Sequence, residues 1–273
     1  MVLSPIEQRI KAKIEAVGTP LKEWDINIYR GILTGYNEAF IIDGKKKDEL
    51  IEKDSKSADI IRPILRGRDI KRYGYDFADL WLINTHNGIK EKGVKPIDIN
   101  DYPAIKNHLD KYYPELEKRA DKGDTPYNLR NCAYMEDFSK QKIIYPETTQ
   151  GAYFALDEKN KLLDKTSFML ISNNAKYILA TLSSKLFEFA YKKIFSSIEL
   201  GKKGYQYNKH ALRNLPIKKI NFKEEALFDE IVNKILALKN NKETAKYLES
   251  DIDNLIYNLY ELSDDEIEFI ETL

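Results

Sequence analysis

The chain has 273 residues, 42% hydrophobic and 32% charged, enough to bury a sizeable core. No apolar run approaches the roughly 20 residues of a membrane helix, and the N-terminal segment mixes charges with apolar residues and lacks the h-region of a secretory signal. Cys132 stands alone, which excludes an internal disulfide or a cysteine zinc site, so a cytoplasmic globular protein is expected.

The formal net charge of zero conceals a division. Residues 243–273 hold ten acidic residues and one basic, leaving 43 basic against 34 acidic, a net +9, in residues 1–242. A basic body suits a polyanionic partner, because Lys and Arg displace condensed counterions from phosphate. On charge alone a solvated mixed-charge surface is equally consistent.

In chain order, Ile6, Ile10, Ile14 and Val17 fall at helical spacing and stop at Gly18–Pro20, predicting a short amphipathic helix and a connector. Residues 24–43 read as strand, turn at Thr34–Gly35, and strand through Phe40, Ile41 and Ile42. Residues 46–62 read as helical, with Ile51, Ala58 and Ile61 on one side and Asp54 or Ser55 as a cap or break. Short strands are expected over 63–85, and a helix over 101–119 interrupted near Pro114.

From 125 to 175 the pattern is one of short strands, at KIIYP (142–146), AYFAL (152–156) and SFMLI (167–171). Residues 175–195 then form an apolar helical face through Ile178, Leu179, Leu182, Leu186 and Phe189. A Gly- and Lys-rich loop follows at 200–209. Residues 224–260 space their apolar residues as a helical hairpin, with a turn at Asn240–Asn241.

Catalytic motifs are missing. There is no G-x-S-x-G, no phosphate-binding G-x-x-x-x-G-K-[ST], no G-x-G-x-x-G, no H-E-x-x-H, and no Pro-Pro pair to build the [DNS]-P-P-[YFW] tetrapeptide in which an adenine methyltransferase holds a flipped base. His86, His108 and His210 are far apart, and none has a second His or Cys at ligand spacing, so neither a metal site nor a catalytic residue is assigned. Nothing in the spacing of Asp137, Glu147 and Asp157 demands a nuclease centre.

Three segments could instead touch DNA. RPILRGRDIKRY (62–73) concentrates Arg66, Arg68, Lys71 and Arg72, whose charges suit phosphate; the alternative is that Arg66 or Arg68 pairs internally with Asp69. IELGKKGYQYNKH (198–210) offers Lys202, Lys203 and Lys209 for phosphate, with Gln206 and Asn208 able to bond a base edge and tyrosines able to stack. The polar loops DTPYNLRNCAYM and PETTQGAYF supply Asn128, Arg130 and Gln150 as further base-edge types, although turns use such residues for their own capping. TGYNEAF (34–40) reads as a structural turn with Tyr36 and Phe40 packed.

TGYNEAF and RGRDIKRY, with LWLINT, YPELEKR, DKGDTPYNLRNCAY, KIIYPE, KYILATLSSKL, GYQYNK and LPIKKI, resemble the TaqI-like C-terminal specificity domain of restriction-modification enzymes, over nearly the whole chain. One departure is Met135, where the resemblance leads one to expect an aromatic residue, commonly Trp. The resemblance implies recognition of duplex DNA by this region. It also implies an upstream adenine-specific methyltransferase, domain or subunit, that uses S-adenosylmethionine; no cofactor is expected in this chain, and some members add a nuclease domain.

The expected organisation is then a helical connector at 1–25, a target-recognition domain at 26–222 and a docking hairpin at 223–273. The sequence starts at the equivalent of the connector, as expected for a shortened chain or a separately encoded subunit. The expected fold class is α+β, a twisted and mostly antiparallel sheet with flanking helices and a C-terminal helical hairpin. Two other readings stay open: a stand-alone metal-dependent nuclease, and an oligomerisation module whose basic patches are only solubilising.

Overall fold

The computed structural model describes residues 2–196, 199–200, 204–238 and 242–273. Helix α1 (Pro5–Val17) begins at a capping box between Ser4 and Glu7 with Pro5 in its first turn, and buries Ile10 and Ile14. Next come β1 (Gly18–Pro20), β2 (Ile26–Arg30), the single turn α2 (Asn37–Phe40), β3 (Ile41–Asp43), α3 (Gly44–Lys53), β4 (Ile61–Leu65), the small hairpin β5 (Ile70–Lys71) and β6 (Gly74–Tyr75), and β7 (Leu80–Ile83). Helices α4 (Pro103–Leu109) and α5 (Tyr113–Lys118) precede β8 (Lys142–Pro146), β9 (Thr148–Thr149), β10 (Ala155–Asp157), β11 (Leu162–Leu163) and β12 (Ser167–Ser172). The chain closes with α6 (Ala175–Ser183), α7 (Lys185–Ala190), β13 (Glu199–Leu200), β14 (Gly204–Gln206), α8 (Lys209–Asn214), β15 (Pro216–Lys218), α9 (Phe222–Ala237), α10 (Lys242–Leu259) and α11 (Asp264–Glu271).

The class is α+β, as expected. The central sheet has the order β10-β8-β12-β2 and is antiparallel throughout, with Met169 opposite Tyr29 on one side and Ile144 on the other. Its two faces serve different cores, because side chains alternate along a strand. Ile28, Ile143, Tyr145, Leu156, Phe168 and Leu170 face a core completed by α1, α6, α7 and the C-terminal helices. Ile144, Ala155 and Met169 face a second core built with β3, β4, β7, α4 and α5. Burial on both faces explains why KIIYP and SFMLI are continuous apolar runs. A second sheet, β11-β4-β7-β3, contains the one parallel pair, β11 with β4, among the described strands.

Local chemistry moved several expected boundaries. The helix predicted over 46–62 ends at Lys53, where the backbone N–H of Asp54 closes α3 and its carboxylate accepts from Lys56 of a following 3-10 turn; Ile61 therefore lies in β4. Phe40, expected in a strand, closes the turn α2 and is fully buried; the preceding turn needs Gly35, at φ +71°. The predicted 175–195 helix breaks at Ser184, whose hydroxyl caps α7, and finishes as a wider π turn over Tyr191–Phe195. Pro114 stands in the first turn of α5, consistent with the predicted interruption. The hairpin is α9 and α10, its Asn240–Asn241 turn lies outside the described residues, and α11 is an additional helix. Among the described residues no helix is long and apolar enough to cross a membrane.

Candidate nucleic-acid interface

Several loops predicted to touch DNA meet at one end of the central sheet. After β8 the chain passes through Glu147 into β9, which pairs with β14 so that Thr148 faces Gln206 and Thr149 faces Tyr205. The PETTQG and GYQYNK segments are therefore neighbouring strands, held further by Tyr207 N–H donating to the Glu147 carbonyl at 2.9 Å. The Glu147 N–H donates to the Thr166 carbonyl at 2.9 Å, and Thr166 Oγ1 accepts from the Gly67 N–H at 2.9 Å, which draws in the RGRD loop. A side chain at Gly67 is excluded, since its Cβ would stand 2.8 Å from the Thr166 carbonyl oxygen.

Arg30, at the end of β2, completes the cluster. Its Nε–H donates to the Lys165 carbonyl at 2.8 Å, its Nη2 donates to Glu147 Oε2 at 2.5 Å, and the guanidinium stands 5.4 Å from the centre of the Phe168 ring. Tyr29 stacks on Tyr134 at 4.3 Å, and the Tyr134 hydroxyl donates to the Arg30 carbonyl at 3.0 Å. Burial, aided by Cys132, pushes that hydroxyl up to about 12, so it stays a donor.

Around this cluster Arg68, Lys165 and Lys209 are exposed, and none has a carboxylate at ion-pair distance among the described residues. Lys209 Nζ lies 6.0 Å from the Tyr29 ring centre. Lys71, on the hairpin that follows the Arg68 turn, is exposed and donates to the Arg68 carbonyl at 2.7 Å.

Other predicted contacts have different surroundings. Arg66 is held by Asp69, which accepts from its backbone N–H and from Nε and Nη2 at 2.8 to 3.0 Å. Burial acts to raise the Asp69 carboxyl, but bonding to Arg66 overrides it and holds the group below its ordinary value. The internal pairing with Asp69 therefore describes Arg66. Arg72 likewise turns inward, with Nε 2.6 Å from Glu249 and Nη1 3.9 Å from Glu188, so its charge is already balanced by the C-terminal helices and α7.

Asn128 is held internally as well. It is 2% exposed, its Oδ1 accepts from Thr125, and its Nδ2 donates to the Ile97 carbonyl at 2.9 Å, leaving nothing for a base. Buried Arg119, donating to the carbonyls of Thr34, Asp121, Pro126 and Asn128, ties this loop to the TGYNEAF turn. Arg130 is exposed and lies 3.1 Å from Asp121. Gln150 is exposed and Gln206 half-buried, both beside the Glu147 cluster in sequence or register. Asn208 caps α8, its Oδ1 accepting from Ala211 at 2.8 Å, which leaves only its amide N–H₂ for other contacts. Lys202 and Lys203 lie outside the described residues.

The sequence alone did not single out Arg30 or Lys165, and it offered Glu147 only as one of three scattered carboxylates. Those three are dispersed: Asp157 pairs with buried Lys142 and Asp137 with Lys140. Among the described residues no group of three His, Cys, Asp or Glu side chains could hold a metal ion.

The model of the TaqI-like C-terminal specificity domain matches residues 62–217, more than half of the chain. The chain belongs to this family.

In fold it is similar to the type IIL restriction-modification enzyme MmeI, whose structure is in complex with DNA, with a TM-score of 0.68 and 15% identity over 93% of this chain and 35% of that one. It is also similar to the type IIG restriction endonuclease BpuSI, with a TM-score of 0.55 and 15% identity over 93% of this chain and 33% of that one. The chain thus spans about a third of the length of both enzymes.

Proposed function

We propose that residues 26–222 recognise a specific duplex DNA sequence for a restriction-modification enzyme, directing an adenine-specific methyltransferase, as a domain or a separate subunit, to its target. The observation that carries this reading is that the loops bearing Arg68, Lys165 and Lys209, none of them ion-paired among the described residues, are joined by hydrogen bonds and strand pairing to the segments bearing Arg30, Glu147 and Gln206. Cations without counter-charges suit phosphates, and the amide and guanidinium groups between them suit base edges. S-adenosylmethionine belongs to the methyltransferase in this reading. Residues 1–25 and 223–273 would face that partner. In support, α1 and the C-terminal helices share one core, and Phe222 and Tyr247 on α9 and α10 are 84% and 70% exposed.

The test is selection of the purified chain against a random duplex pool at moderate salt, followed by sequencing of the retained DNA. One enriched short motif is the expected result. Retention of all sequences alike would overturn sequence recognition, and negligible, salt-insensitive binding by a chain that light scattering finds oligomeric would favour the interaction-module reading.

A further inference from the structure

We infer that Arg30 and Glu147 act as one unit that reads a single G·C base pair in the major groove. This rests on the DNA-recognition reading and adds to it the residues, the base pair and the groove.

Arg30 is immobilised before any ligand arrives. A backbone carbonyl, a carboxylate and an aromatic ring each fix part of its guanidinium, while its side chain remains 50% exposed. Of the five N–H groups of an arginine, two are used among the described residues, Nε–H and one on Nη2, which leaves both on Nη1 and one on Nη2 for a partner. Glu147 is fixed through its backbone on both sides, by Thr166 and Tyr207, and among the described residues only its Oε2 is engaged.

The carboxylate is the informative member. On a surface that holds phosphates, a negative charge opposes binding, and Arg68, Lys165 and Lys209 around it keep no acidic partner of their own among the described residues. A carboxylate at such a place is suited to a donor, and the donors on major-groove base edges are the exocyclic amines of cytosine and adenine. A G·C pair presents two acceptors, N7 and O6 of guanine, followed by the cytosine N4 donor. The free N–H groups of Arg30 beside the free oxygen of Glu147 complement that row. An A·T pair interposes the adenine amine between two acceptors, which sets a donor against the guanidinium.

Two substitutions in the full chain separate this role from a surface ion pair. Arg30→Lys keeps the charge and loses the planar fork; Glu147→Gln keeps the shape and loses the charge. Each would be measured by competition binding against the motif enriched by the unsubstituted chain and against every single base-pair change in it, at two salt concentrations, with thermal melting as a check on folding.

Both substitutions are expected to lower discrimination at one and the same G·C position by about tenfold to a hundredfold. Undiminished discrimination at every position, or an equal loss on all duplexes, overturns the pair reading while recognition itself stands. If the unsubstituted chain enriches no motif, sequence recognition falls and the pair reading falls with it.

Discussion

Arg72 Nε stands 2.6 Å from Glu249 Oε2, an ion pair that ties the end of the β5–β6 hairpin to the long helix α10. The contact lacks the alignment of a hydrogen bond, so the pair holds by charge, with Glu188 as a second, more distant counter-charge. Each side chain of the pair is about a quarter exposed, which puts its worth between that of a surface and a buried pair. Glu249→Gln is expected to destabilise the chain by about 1–3 kcal/mol, a drop of several degrees in Tm by calorimetry. An unchanged Tm would mean that Glu188 alone suffices.

A neighbouring residue makes stability depend on pH. Asp253 is 3% exposed, and burial pushes its carboxyl up to about 6 despite the Lys185 backbone N–H that it accepts and the charge of Arg72. Because the folded value lies above the ordinary one, the folded chain binds a proton that the unfolded chain does not between about pH 4 and pH 6. Its contribution to stability is therefore present at low pH and lost as pH rises through 6. Asp253→Asn keeps the acceptor for Lys185 and should raise stability at pH 8 by an amount on the order of 3 kcal/mol, with the gain vanishing near pH 4. Denaturation curves at the two pH values check this, and an equal effect at both would contradict it.

The Lys142–Asp157 pair is fully buried at 2.6 Å, with Lys142 also donating to the Phe138 carbonyl and Asp157 accepting from Tyr75 and from the backbone of Lys159 and Lys161. Lys142→Met leaves a buried carboxylate without its cation and should cost about 3–5 kcal/mol in urea denaturation. Lys142→Met combined with Asp157→Asn removes that orphan charge, and the double variant is expected to be more stable than the single one. Additive losses would show that the two charges do not act as a pair.

Removal of Lys165 or Arg68, as Lys165→Gln or Arg68→Gln, should weaken binding to all duplexes alike and lower the salt slope by about one per phosphate contact. Arg66→Gln is expected to lower Tm instead, since Asp69 then loses its partner. A sequence-dependent loss from Lys165→Gln would move that residue from phosphate contact to base reading.

Legibility in the sequence followed the range of the interactions. KIIYP, SFMLI and the spacing of Ile10 and Ile14 are legible because burial of whole strand or helix faces leaves a period in the chain. The loop candidates were found by residue type, but type does not say where a charge is spent. Arg66, Arg68 and Arg72 look alike in RGRDIKRY, yet one bonds Asp69, one faces solvent and one reaches α10. Arg30 and Glu147 were missed because they are 117 residues apart and meet only when β2 and β8 flank β12. Asn128 misled for a related reason: an amide that could bond adenine bonds the Ile97 carbonyl equally well.

The alternation along β8, β10 and β12 has one more consequence. Each of these strands lends successive side chains to opposite interiors, Ile143 to one and Ile144 to the other, Leu170 to one and Met169 to the other. Neither half can melt while the other keeps an intact wall, because loosening either interior strips one side of the same backbone ladder. Slow amide exchange should therefore be shared by both halves and centred on residues 142–146 and 167–172, and the loop cluster at the sheet end inherits its rigidity from two interiors at once.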